Sequence, residues 1–386
     1  MRRIYEPLIA RDLDKKMVFL GGPRQVGKTT LSKSLGADLI APAAFQYLNW
    51  DVDEDRNVII NKLWHKHVKL VIFDELHKFK RWKQWIKGIY DSNIAKQEFL
   101  VTGSARLDIY KKGGDSLMGR YHYWRMHPIT IDELPDAVSY SEGLDRLMKI
   151  GGFPEPFLQN DEREARRWRK ERFDKILRED VRDIADVRNL SLLRLFVDAL
   201  RRRVSHEVVV SNLAGDLQIS PTTAQAWLIL IQNMYVAFAI YPLTTNIPRA
   251  IQKPPKVFFY DNADVLDDHG ARLENLVATT LLKRLQFLED YHGYECELRY
   301  IRDKDDREVD FVTIINGEIC DLIEVKSADQ HISKGLRYYA ERLQPKNAVQ
   351  IVGNLGNGFT KDNIMVVNPI EYFTKIAPAP WIELDT

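Results

Sequence analysis

Residues 22–29 read Gly22-Pro23-Arg24-Gln25-Val26-Gly27-Lys28-Thr29, the spacing G-x-x-x-x-G-K-[ST]. No other stretch constrains the fold as tightly, because each fixed position answers a demand of a polyphosphate. Gly22 and Gly27 let the backbone curl so that successive N–H groups point inward. Lys28 brings a point charge to the β and γ phosphates, and the Thr29 hydroxyl suits Mg²⁺. Met17 to Leu20 reads as an apolar strand entering the loop. Thr29 and Thr30 open a helix that runs on to Leu35, and its N-terminal dipole favours an anion. A glycine turn with a surface lysine is the plainer alternative, and the flanking strand and helix weigh against it. Gly22 to Thr30 are therefore expected to bind a nucleoside triphosphate, ATP, with Mg²⁺.

A second apolar strand, Leu70 to Phe73, ends in Asp74-Glu75. An acid after such a strand holds Mg²⁺, and its neighbour can deprotonate the attacking water. Alone, two carboxylates at a strand end are also what a solvated terminus looks like; behind a phosphate loop they point to hydrolysis. A third run, Phe99-Leu100-Val101, leads into Thr102-Gly103-Ser104-Ala105. Continuous apolar runs of this kind suit parallel strands buried on both faces. Thr102 or Ser104 could stand between the water and the γ-phosphate, with a simple turn as the alternative.

A chain of 386 residues suggests two or three domains. Its net charge of +1 excludes neither nucleic acid nor protein partners. Cys296 and Cys320 lack metal-ligand spacing, and with no signal peptide they point to a reducing cytoplasm. The longest apolar stretch, Trp227 to Tyr241, is interrupted and too short for a bilayer, so no membrane association is expected.

Gly151-Gly152-Phe153-Pro154 is a turn-rich break. Asp161 to Asp186 is dense in both charges and reads as a salt-bridged surface helix rather than a nucleic-acid arm. Ser211 can cap a helix, and Ser220-Pro221 can cap and start a second, the outline of a helix-turn-helix. Tyr235 to Leu243 and Lys256 to Tyr260 would supply a wing. The second helix, with Thr222, Thr223 and Gln225 forward, carries no Lys or Arg. Phosphate attraction would have to come from Arg201-Arg202-Arg203 or from Lys253 and Lys256.

Toward the C-terminus, Glu308 to Ile315 and Cys320 to Lys326 flank Asn316-Gly317, a strong hairpin signal. Strand period puts Glu324 and Lys326 on one face. A strict two-residue turn would pair Asp310 with Ile323 and send Glu324 to the other side. A bulge or a three-residue loop at Gly317 would bring Asp310 and Glu324 together. Asp310 with Glu324-x-Lys326 is what metal-assisted phosphodiester cleavage needs: carboxylates for Mg²⁺ and a lysine to orient water. Charged, alternating strand pairs are also common without any such role.

Roughly the first 135 residues resemble prokaryotic AAA-type ATPases, in the branch whose loop reads G-P-R-Q-V-G-K-T. The resemblance rests on that loop, Asp74-Glu75, the Thr102 to Ala105 segment, and Leu117-Met118-Gly119-Arg120 ahead of Pro128 and Glu133-Leu134. It implies a sensor role for Ser104 or Thr102. It also makes Arg120 a candidate arginine finger on a neighbour's γ-phosphate, hence a homo-oligomer, although an ordinary surface arginine fits equally. The C-terminal set resembles the PD-(D/E)XK restriction-endonuclease-like superfamily, where a helix before the hairpin often adds an acid; Glu274 is the matching position here.

The expected architecture is α/β. It comprises an AAA-type P-loop NTPase domain with a parallel sheet at 1–135, a helical and winged-helix domain at 136–255, and an α/β restriction-endonuclease-like domain at 256–386. The expected activity is Mg²⁺-dependent ATP hydrolysis, with Lys28, Thr29 and Asp74 on Mg·ATP and Glu75 as base. It would be coupled to a C-terminal half that binds DNA and cleaves it through Asp310, Glu324 and Lys326, with Glu274, Asp310 and Glu324 on metal. The alternative is a non-cleaving ATP-driven switch that recruits a protein partner.

Overall fold

The N-terminal strands form where unbroken apolar runs can be covered on both faces. In the computed structural model, residues 1, 3–39, 45–93, 96–103, 117–181, 189–244, 253–266 and 268–381 are described. Met17–Gly21 (β1), Phe45–Asn49 (β2), Leu70–Asp74 (β3), Glu98–Thr102 (β4) and Tyr121–Arg125 (β5) make a parallel sheet in the order β2-β3-β4-β1-β5. The inner strands β1, β3 and β4 are buried along their whole length, whereas the edges β2 and β5 are mostly half-exposed. That contrast is what two covered faces and two open edges demand. Phe19, Phe73, Val101, Trp82 and Ile86 fill one face of the core. β4 lies between β1 and β3, so the ends of three strands bring the phosphate loop, Thr102 and Asp74 to the same edge.

The chain divides into two compact units, one built on Met1–His127 with Asn233–Tyr235, the other on Pro128–Val181, Ala185–Gln232 and Val236–Thr386. The compact units part at 127/128, close to the expected domain boundary at 135/136. No division occurs at 255/256, because strand pairing runs across it. Ala237–Pro242 (β6) pairs antiparallel with Lys256–Phe259 (β7), with Ile240 opposite Lys256.

These two strands are the edge of an eight-stranded mixed sheet that continues through Cys296–Arg302 (β8), Glu308–Ile315 (β9), Glu318–Lys326 (β10), Asn347–Val352 (β11), Phe359–Lys361 (β12) and Ile364–Val367 (β13). The order is β12-β13-β11-β10-β9-β8-β6-β7. The helices Val210–Asp216 and Pro221–Asn233 do follow one another as a helix-turn-helix would. The two strands expected to supply a wing do pair as a hairpin, and β6 also bonds β8 in parallel register, so the hairpin is part of the large sheet. Ser220 caps the second helix through the Thr223 N–H, whereas the first starts after Val209, leaving Ser211 inside it.

The helix His269–Phe287 is buried along most of its length, because it lies across the sheet rather than on a solvent face. Leu336 from the helix Lys334–Leu343 packs with Val312, Leu322 and Ala348. The charged segment expected as one helix over 161–186 forms the helix Glu162–Lys175 and widens into a π-turn over Ile176–Asp180; residues 182–188 lie outside the described residues. Among the described residues no helix is long and apolar enough to cross a membrane.

Candidate functional site

The phosphate loop adopts backbone that only its sequence permits cheaply. Gly22 has φ 143°, and a Cβ there would lie 2.3 Å from the Met126 carbonyl oxygen. Gly27 has φ 101° and directly precedes the helix Lys28–Ser34. Between them run Pro23, Arg24, Gln25 and Val26, with Gln25 also left-handed at φ 66°. Lys28 is buried and donates to the carbonyls of Gly22 (2.9 Å) and Pro23 (2.7 Å), so its ammonium lies inside the curl of the loop. Thr29 and Thr30 open the helix.

Asp74, 3% exposed at the end of β3, gathers three hydroxyl donors. Thr29 Oγ1 (2.8 Å) and Tyr47 OH (2.5 Å) donate to Oδ2, and Thr102 Oγ1 donates to Oδ1. Burial, together with the Asp74 carboxylate, pushes the Tyr47 phenol well above its ordinary value, so it stays a proton donor. Of the two alternatives at the end of β4, Thr102 meets Asp74; Ser104 lies outside the described residues.

Glu75 takes a left-handed backbone at φ 56°, an uncommon conformation for a side-chain-bearing residue. Its Oε2 stands 3.7 Å from both His77 Nε2 and Lys78 Nζ. Burial lowers the His77 pKa, which keeps the ring neutral near pH 7. For Lys78, burial works against the charge but is outweighed by Asp51 and Glu75, so it stays charged. Glu75 thus sits between a neutral ring and an ammonium, 20% exposed and within reach of water. Arg120 sits away from this group, bonded to Asp91 through Nε (2.7 Å) and Nη2 (3.1 Å).

Two residues of this site carried no sequence signal. Tyr47 is one of many tyrosines, and only the β2–β3 pairing brings it to Asp74. Arg3 is buried and donates to the carbonyls of Val26 (3.2 Å) and His127 (2.7 Å), bracing the loop from beneath.

In the second unit, two bulges decide which side chains meet. β9 and β10 begin in the register of a two-residue turn, Glu318 opposite Ile315, and shift between Ile319 and Asp321. The extra residue is Cys320, not Gly317, and beyond it Ile323 opposes Phe311. Continuing that register sets Glu324 opposite Asp310. A second shift, against β8, places Asp310 and Phe311 opposite Tyr300. Bulges re-aim side chains in this way.

Glu274, Asp310, Glu324 and Lys326 do converge, with two residues absent from the sequence expectation of a metal site, Lys256 and Glu308. Lys256, 1% exposed, places Nζ 3.3 Å from Glu274 Oε1, 2.5 Å from Glu308 Oε1 and 3.1 Å from Asp310 Oδ1. Asp310 Oδ2 accepts from the Val325 N–H at 2.9 Å. Lys326 Nζ lies 2.7 Å from Glu324 Oε1, while Glu324 Oε2 is buried without a hydrogen-bond partner among the described residues.

Burial and then the Asp310 charge push the Glu274 carboxyl up to about 8 and Glu324 up to about 7. For Lys256, burial opposes the charge, but Asp310, Glu274 and Glu308 outweigh it and hold the ammonium charged. Among the described residues no three His, Cys, Asp or Glu side chains form a group that could hold a metal ion. Where a divalent ion was expected, an internal ammonium holds the carboxylates.

Residues 14–135 match the family described as AAA domain, and residues 141–264 and 269–373 match two domains of unknown function. The uncharacterized protein Rv2008c of Mycobacterium tuberculosis is 24% identical over 342 residues, covering 85% of this chain and 74% of its own length. The uncharacterized protein MJ1544 of Methanocaldococcus jannaschii is 24% identical over 366 residues, covering 82% and 77%. Among solved structures, the Aeropyrum pernix ORC1 protein in complex with DNA covers 72% of this chain and 93% of its own at 11% identity, with a TM-score of 0.34, too low to carry an argument. The N-terminal third, with its parallel sheet and phosphate loop, is similar to AAA-type P-loop ATPases, and that similarity supports nucleotide binding and hydrolysis.

Proposed function

We propose that the chain is an Mg²⁺-dependent ATPase whose nucleotide cycle acts on a C-terminal half that engages nucleic acid. The observation that carries this reading is the meeting of Thr29 and Asp74, 2.8 Å apart, beside the buried Lys28. An exposed hydroxyl ligand and a carboxylate supported by hydroxyl donors fit Mg²⁺, which supplies charge to the phosphates when bound. Thr29 would hold the ion and Asp74 would support it through water. Lys28 and the loop N–H groups bind and orient the phosphates, and Glu75 takes the proton of the attacking water. Thr102, with Ser104 as the alternative, orients that water. Arg120, once released from Asp91, would serve a neighbouring copy in a homo-oligomer. The test is phosphate release by Glu75→Gln: ATP binding persists and turnover collapses, and a native rate would remove the base assignment.

Nucleic acid is supported by the helix pair ending in Pro221–Asn233, with Thr222 and Gln225 exposed at its leading end. A second reading, a non-cleaving switch that recruits a protein partner, is favoured by Lys256. Its ammonium holds Glu274 and Asp310, so Glu274, Asp310 and Glu324 do not fit a divalent ion as they stand, and no cleavage step is derived from them. Plasmid nicking in Mg²⁺ separates the readings. Cutting abolished by Asp310→Ala or Lys326→Ala would restore a nuclease; no cutting, and no DNA binding at low salt, would favour the switch.

A further inference from the structure

The strongest unassigned feature is a cleft of about 530 Å³ in the second unit, walled by the helices Glu162–Lys175 and Leu190–Arg201 and by the start of His269–Phe287. Its lining is dominated by cations. Arg169, Arg201 and Arg272 lie inside, and Arg166, Lys170 and Lys149 stand toward the rim.

The carboxylates present offset only part of this charge. Arg169 bonds Asp261 at 3.0 Å, and Arg201 bonds Asp198 and Asp264, each at 2.7 Å. Asp261 and Asp264 also face Arg172, buried behind the wall, so with Asp198 three carboxylates serve Arg169, Arg172 and Arg201, and the excess of charge lies with Arg272 and the rim. On the rim, Lys149 pairs with Asp145, Arg194 with Asp174, and Arg166 reaches Glu162 only at 3.5 Å. Arg272 spends its two terminal nitrogens on the carbonyls of Met148 and Val265, which carry no charge. Lys170 has no partner among the described residues. The Nε–H groups of Arg201 and Arg272 are buried beneath the cleft surface and have no acceptor among the described residues.

A cleft wall with more guanidinium and ammonium groups than carboxylates suits an oxyanion of more than one charge. Arg169 and Arg201 are only 15% and 14% exposed, so such a group must enter the cleft to meet them. A duplex backbone would reach the rim alone. Arg194 and Arg201 both lie over the ring of Phe173.

We propose that this cleft is a binding site for the phosphate or pyrophosphate group of a small phosphorylated molecule, separate from the phosphate loop. It does not depend on the ATPase reading.

Calorimetric titration of inorganic pyrophosphate into the full chain tests it, in a Lys28→Ala background that silences the loop. Binding is expected, and Arg166→Glu with Lys170→Glu should weaken it about tenfold or more. Both residues are solvent-facing, and an unchanged circular dichroism spectrum and melting temperature would verify that the fold is kept. No binding in the parent, or binding indifferent to the two reversals, overturns the proposal. Duplex DNA bound at low salt and lost on the same reversals, with pyrophosphate inert, would overturn it in favour of a nucleic-acid surface.

Discussion

Asp74 and Asp310 are both buried aspartates on strands of a sheet, and they are held in opposite ways. Three neutral hydroxyls hold Asp74, from Thr29, Tyr47 and Thr102. An ammonium and a backbone N–H hold Asp310, from Lys256 and Val325. Hydroxyl donors satisfy lone pairs without cancelling charge, so the first carboxylate keeps its attraction for a cation. The second has already found one. The difference teaches that a converging set of acids does not by itself make a metal site; the charge of whatever satisfies them decides.

The sharpest way to break the comparison is at Glu75. Glu75→Gln is expected to lower ATP turnover by about 10²–10⁴-fold while leaving nucleotide affinity nearly intact, read by phosphate release and fluorescent-nucleotide binding. Next comes Lys256→Met. Removing the ammonium leaves the buried Glu274 and Asp310 beside the half-buried Glu308, at a cost of about 3–5 kcal/mol in denaturant unfolding. If the contrast with Asp74 is right, Mn²⁺ should bind the variant and recover part of that loss, while the parent without nucleotide should bind no Mn²⁺ in this unit.

A pH series sharpens the same contrast more gently. Glu274 and Glu324, near 8 and 7 when folded, hold protons that the unfolded chain has released above the ordinary value of 4.5. Their contribution to stability is therefore complete below about pH 4.5 and is lost as pH rises through 7 to 8. Glu324→Gln should flatten that fall; an unchanged slope would mean that its carboxyl is not held protonated. Smallest is Tyr47→Phe, which deletes one of three donors on Asp74 and should slow turnover less than about tenfold.

How legible these sites were in the sequence follows from how local their determinants are. The strands β1 and β3, the loop from Gly22 to Thr29 and the acids at 74–75 are written in contiguous runs, and they fold where those runs end. The Asp310–Glu324 pairing was legible only as a condition on register. It is met at Cys320, where the hairpin alone gives no signal, because a bulge answers to the packing of the neighbouring strand. Lys256 reads in the sequence as a candidate phosphate contact, yet it is buried, and its role comes from long-range partners: Glu274 eighteen residues on and Asp310 fifty-four. Arg3 was silent for the same reason. The place of β6 and β7 in the larger sheet is not legible, because a hairpin has the same sequence pattern whether it stands free or edges a sheet.

The central claim is tested most directly by phosphate release from Mg·ATP for the parent chain beside Lys28→Ala and Asp74→Asn. The account predicts Mg²⁺-dependent turnover in the parent, falling by on the order of 10²–10³-fold in each variant. Turnover in Asp74→Asn at the parent's rate, or hydrolysis indifferent to Mg²⁺, would contradict it.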